Sequence, residues 1–142
     1  VKSDNLNLKG IKMKKLILAC VISALSSLAC AADTQYSKTY DACINEATSN
    51  SDMRDCIGTE YRKQDARLGK VYNQLKEELN VERKQKLLVA QRLWIKYRDA
   101  NSGFAIHSDS GTQDYITANM ISLEMTKSRA DELTGFLAET RE

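Results

Sequence analysis

The chain has 142 residues, with no proline, six glycines, four cysteines and a single histidine. Its 21 basic and 19 acidic side chains give a formal charge of +2 spread over both signs. That balance excludes the concentrated basic field that nucleic-acid binding demands, and the length allows one domain with one core and little more.

The first segment reads as targeting rather than fold. In "MKKLILACVISALSSLACAADTQ" two lysines precede an apolar run from Leu16 to Ala29 and then small residues, the three parts of a secretory signal. The run is too short and too lightly flanked for a transmembrane helix. Met13 is the expected start, Val1–Lys12 an upstream extension, and Ala29-Cys30-Ala31 the cleavage box. Residues 1–31 are therefore expected to be discarded, leaving 32–142 as one soluble helical domain in the bacterial periplasm or outside the cell. A rival reading makes Cys30 a lipid-anchored first residue, although Ser27 stands where that box usually carries leucine. Losing the signal also removes Lys2, Lys9, Lys12, Lys14, Lys15 and Asp4, which leaves a mildly acidic chain of net charge −2.

Of the four cysteines, Cys43 and Cys56 remain. An even pair in an oxidising compartment reads as a disulfide, worth about 3 kcal/mol for so short a loop. The pair lacks C-x-x-C spacing and His107 is the only imidazole, so neither a redox nor a metal site is expected, and no cofactor.

The helices follow in order. A short one is expected around Tyr40–Ala47, tied to the next by the disulfide. Met53, Ile57, Tyr61, Leu68, Tyr72, Leu75 and Leu79 mark a long second helix, capped by Asn50 or Ser51. Leu87, Ala90, Trp94, Tyr97 and Phe104 mark a third, from Val81 to about Ile106, capped by Asn80. Ile116, Met120, Leu123, Ala130, Leu133 and Leu137 mark the last, with Ser110 and Gln113 in capping-box spacing. Short connections between long amphipathic helices predict antiparallel neighbours. The expected fold is all-α: a small antiparallel up-and-down bundle of three long helices plus a short N-terminal one.

Polar residues interrupt these stripes at one level. Gln91, Trp94 and Arg98 share the apolar face of the third helix, and Asp65 sits between Tyr61 and Leu68 on the second. Folding the hairpin about Asn80 brings Asp65 near Arg98, and the next loop brings Gln91 level with Arg129. A buried charge demands a partner, so Asp65 and Arg98 are expected to pair inside a structural polar cluster of Asp65, Gln91, Trp94, Arg98 and Arg129.

Those same residues carry a resemblance. From "YDACINEA" through "MRDCIGTEYRKQDARLGKVYNQL" and "AQRLWIKYRDA" to "LEMTKSRADEL", the chain resembles LprI-like lysozyme inhibitors, exported bacterial helical proteins. The most specific parts are Cys43 and Cys56 at their spacing, Asp65–Leu68–Tyr72, and Gln91-x-x-Trp94-x-x-x-Arg98-Asp99, completed by Thr126, Arg129 and Leu133. Family members usually hold two further cysteines; here Ser102 takes the first place and no cysteine follows Cys56. The link between the last two helices must then rely on packing. The resemblance implies binding to a lysozyme-like muramidase and blocking of its action.

An inhibitor of that kind must enter a cleft lined by two carboxylates. The longest polar connection, "IHSDSGTQD", offers His107, Ser108, Asp109, Ser110 and Gly111 as partner-binding residues; an ordinary helix–helix loop whose serines cap the next helix is the plainer reading. Catalysis finds no support, because no nucleophile stands beside an evident base and no glycine-rich phosphate loop occurs. The other function class consistent with the residues is an envelope-stress or immunity-like module that binds a different exported partner and leaves lysozyme untouched.

Overall fold

The computed structural model describes residues 36–142 apart from Ser108 and Ser110. The expected signal, its cleavage point and Cys30 lie outside the described residues. Among those described, four helices account for nearly everything: α1 (Lys38–Glu46), α2 (Asn50–Glu78), α3 (Val81–Phe104) and α4 (Thr112–Arg141). No helix among them is long and apolar enough to cross a membrane.

Helix starts are set by local chemistry. The hydroxyl of Ser37 accepts from the Tyr40 N–H and starts α1 two residues earlier than expected. The α2 cap is Ser49, not Asn50 or Ser51. Its side chain accepts from the Asp52 N–H while the Asp52 carboxylate accepts from the Ser49 N–H, a reciprocal capping box. That box wins because it satisfies two orphan donors at once. Asn80 caps α3 as expected, accepting from the Arg83 N–H at 2.9 Å. At α4 the cap position is Gly111, which brings no side-chain bond; the expected cap Ser110 is not among the described residues.

The main helix pair is α2 with α4; α3 packs on α4 and α1 on α2. The ion pairs Arg67–Asp131 and Glu78–Arg141 advance along both helices together, so α2 and α4 run parallel. Between them lies one apolar cluster of Leu68, Val71, Leu75, Leu79, Leu87, Ala130, Leu133 and Leu137. Ala130 and Leu133 have no exposed surface at all. A second cluster gathers Ile57, Ile116 and Leu123 under Tyr36, Tyr40, Ile44 and Tyr61. The Cys43–Cys56 disulfide, Cα atoms 5.8 Å apart, fastens α1 over it.

The expected α3 stripe is only partly internal. Leu87 is its one buried residue and Trp94 is half-buried, whereas Ala90, Tyr97 and Phe104 face solvent. Met120 of α4 is likewise exposed. At 100° per residue, Leu87 and Trp94 lie within about 20° of each other, while Phe104 lies about 100° from Leu87. The stripe drifts off the core face, and no helix among the described residues covers its outer members.

A polar chain joins the two clusters. Glu60 is 1% exposed. It accepts from the Ser37 N–H at 3.2 Å, from the Ser37 hydroxyl, and from Gln64 Nε2 at 2.8 Å, with Lys63 Nζ at 3.7 Å. Gln64 then accepts from Arg67, which donates to Asp131, and Lys127 closes the chain on Asp131 at 2.8 Å. Burial alone would raise the Glu60 carboxyl; the Ser37 and Gln64 donors and the Lys63 charge outweigh it and hold the carboxyl below its ordinary value. Asp131 follows the same logic: burial raises it, and the bonds and charges of Lys127 and Arg67 bring it below.

A depressed folded-state carboxyl contributes stability that is present at neutral pH and lost as pH falls through the folded value. Glu60→Gln is expected to cost about 1.5–3 kcal/mol at pH 7. It should also flatten the acid loss below the ordinary Glu value of 4.5. Thermal melts at pH 7 and pH 3.5 check this; equal deficits at both pH values would remove the linkage. The Thr126 hydroxyl is buried and has no hydrogen-bond partner among the described residues. Thr126→Val is accordingly expected to hold stability or raise it by up to about 1 kcal/mol in a denaturant titration.

Candidate functional site

Two shallow depressions adjoin one another beside α2 and share a single residue, Arg98. The larger, about 240 Å³, is lined by Asp65, Leu68 and Tyr72 of α2 and by Gln91, Trp94 and Arg98 of α3. The other, about 210 Å³, runs from Ile57 and Tyr61 past Arg98 and Asp99 to Asn119 and Ser122 of α4. Asp65 and Tyr72 of α2 thus line the same groove as Gln91 and Arg98 of α3.

The expected ion pair does not form. Arg98 donates from Nε at 2.9 Å and from Nη2 at 2.8 Å, both to Oδ1 of its neighbour Asp99. Asp65 is exposed and makes no salt bridge among the described residues. Helix phase explains this. Ile57, Gln64, Leu68, Val71 and Leu75 centre the buried face of α2, and Asp65 lies about 80–90° away on the groove edge. A carboxylate there keeps its hydration and needs no buried partner.

Arg98 is nevertheless well held. Its guanidinium carbon lies 5.2 Å from the Trp94 ring centroid and 5.9 Å from that of Tyr61, and 14% of its side chain is exposed. Aromatic faces attract a guanidinium and cost it little hydration. Gln91 does meet Arg129: the Arg129 Nε–H donates to Gln91 Oε1 at 3.1 Å, and Nη1 to Glu132 at 2.6 Å. The polar cluster is thus divided. Gln91 and Arg129 join α3 to α4, Trp94 and Arg98 stack along the groove, and Asp65 stands at its rim.

At the far end of α3, His107 is tied back to α4. Its N–H and its Nδ1 both reach Oδ2 of Asp114, at 3.1 and 2.9 Å. The Asp114 carboxyl is lowered by those His107 hydrogen bonds. Asp109 and Gly111 are exposed beside it; Ser108 and Ser110 are not described. Ile106 and Tyr115 add exposed apolar surface to the same turn. Among the described residues no group of three or more His, Cys, Asp or Glu side chains is placed to hold a metal ion.

The most deeply buried charged residue, Glu60, escaped the sequence reading. A signal was present: Ile57, Glu60, Gln64, Leu68, Val71 and Leu75 recur at steps of three or four, a stripe as regular as any chosen. Passing over Glu60 and Gln64 for being polar moved the apparent core face towards Asp65.

Unequal losses are expected within the cluster. Arg98→Ala should cost about 1–2 kcal/mol through two ring contacts and should shift Trp94 fluorescence to the red. Asp65→Leu should change stability by less than about 0.5 kcal/mol. Urea titrations read at Trp94 measure both, and equal losses would restore the ion pair between them.

A family model described as Lysozyme inhibitor LprI matches residues 43–133. No curated protein and no solved structure matches the chain. The family match runs from the α1 disulfide cysteine through both grooves to the α4 core residue Leu133, well over half of the sequence, and the chain belongs to the LprI lysozyme inhibitor family.

Proposed function

We propose that the chain is an exported binding protein, not an enzyme, that inhibits a lysozyme-like muramidase by protein–protein contact. The family match over residues 43–133 carries this reading. Export through a cleaved N-terminal signal, with a soluble mature chain beginning near Ala32, belongs to the same proposal. So does the up-and-down helix order. Gln91 meets Arg129 while Asn101 meets Met125, which supports α3 running counter to α4.

The contact face proposed is the α3–α4 turn, His107 to Gly111. Its described residues His107, Asp109 and Gly111 are exposed, as an entry into a cleft requires. With Nδ1 of His107 engaged by Asp114, Nε2 is the nitrogen left for a partner, and a protonated ring donates from it to a cleft carboxylate. Tyr115 and Ile106 flank it with the aromatic and apolar surface from which interface anchors are usually drawn. Asp114 fixes the imidazole before binding and so reduces the ordering that association would otherwise cost.

In a cell-wall lysis assay against c-type, g-type and i-type lysozymes, the disulfide-intact protein is expected to give saturable inhibition of one class. His107→Ala with Tyr115→Ala should weaken it at least about tenfold with helicity unchanged. Well-folded protein that inhibits none of the three would transfer the assignment to a different exported partner. Inhibition untouched by the double substitution would move the contact face elsewhere.

A further inference from the structure

Helix α3 is apolar on two sides. Leu87, Gln91, Trp94 and Arg98 face the protein. On the opposite side Val89 (46% exposed), Leu93 (60%), Tyr97 (63%) and Phe104 (87%) stand in solvent. With Ala100, these four fall within an arc of about 80° at 100° per residue, centred about 130° from the inward face. Among the described residues no other helix covers that arc, since α3 packs on α4 through its inward residues. Scattered exposed apolar residues are ordinary, but a continuous stripe of this kind marks an interface.

We infer that the stripe is the contact between two copies of this chain, paired antiparallel through α3 about a two-fold axis near residues 96 and 97. Side-chain size supports this occupant. An antiparallel register centred there sets Val89 level with Phe104 of the second copy and Leu93 level with Ala100, each small residue facing a large one. Tyr97 lies beside the axis and meets the same residue of the second copy.

Charge supports it independently. Arg92, Lys96 and Asp99 occupy one flank of the stripe. In the antiparallel register Asp99 of each copy stands between the levels of Arg92 and Lys96 of the other, about 3 Å along the axis from each. Both bonds from Arg98 go to Oδ1 of Asp99, so Oδ2 points to no intramolecular donor from that residue. A parallel pairing would instead put this flank of the two copies on opposite sides of the seam, where Asp99 meets neither Arg92 nor Lys96 of the other copy. The two rings, at 150–250 Å² each and more than half exposed, with Val89 and Leu93, cover about 1,000 Å² over both copies, the lower limit for a specific interface. The pairing is therefore of the weak, reversible kind. It requires nothing of the lysozyme reading and leaves both α3–α4 turns uncovered.

Sedimentation equilibrium of the full chain from about 1 to 200 μM tests it. Reversible monomer–dimer exchange is expected, and Leu93→Glu with Tyr97→Glu should weaken it more than tenfold at unchanged helicity. Two charge variants then test the register. Arg92→Glu with Lys96→Glu sets acid against Asp99, and Asp99→Lys sets base against Arg92 and Lys96. Each alone should weaken pairing about tenfold or more, and an equimolar mixture of the two should recover it, because every cross-copy pair is then opposite in sign. A chain that stays monomeric throughout overturns the inference and leaves the stripe to another partner. Association that survives the Leu93 and Tyr97 substitutions, or a mixture that fails to recover, overturns it as well.

Discussion

Close approach of α2 and α4 is the constraint on which the rest of the molecule depends. It is possible because α4 offers Ala130, without exposed surface, near the level where Leu68 arrives from α2. A larger residue there would hold the axes apart and open the cluster, since interiors pack without room to spare. With that pair fixed, α1 settles on α2 through its disulfide, the Glu60 contact and the packing of Tyr40 and Ile44, and α3 settles on α4 through Leu87, Trp94 and the Gln91–Arg129 and Asn101–Met125 contacts. The secondary helices are fastened at few points, and the grooves exist because they are.

The polar residues divide by what they have at stake. Glu60 and Asp131 are anions inside a hydrogen-bonded chain that crosses the gap between the apolar clusters. Apolar surfaces can slide past one another by a turn; a carboxylate that must meet Ser37 and Gln64 cannot. Such a chain specifies register more than it adds net stability. Arg98 is held differently, by ring faces at a groove edge with 14% of its side chain exposed, where geometry is looser and loss is smaller.

Much of the fold was legible in the sequence: the number of helices, the Asn80 turn, the Cys43–Cys56 bond and the apolar faces of α2 and α4. What misled was the rule that apolar means inward and polar means outward. Glu60 and Gln64 broke it in one direction, Tyr97 and Phe104 in the other, and both errors displaced the apparent core face by part of a turn. Asp65 then looked buried, and an ion pair was expected that helix phase does not allow. Capping went astray for a simpler reason. Asn50, Ser51 and Ser49 are all good caps, and only the reciprocal bond with Asp52 decides among them. The residues of the α3–α4 turn could be singled out as polar and projecting, but the tie between His107 and Asp114 joins positions whose meeting depends on the path of the loop.

The parallel run of α2 and α4 has a consequence in time. Helical proteins usually fold quickly because their contacts are local. Here Arg67 must find Asp131, and Glu78 must find Arg141, across some sixty intervening residues. The principal core therefore cannot close until the last helix of the chain is present. A polypeptide emerging from the ribosome would hold three incomplete helices and no finished interior, a state slow to commit and easily kept unfolded. Until that helix arrives, the chain stays extended enough to be threaded or captured before it commits to its fold.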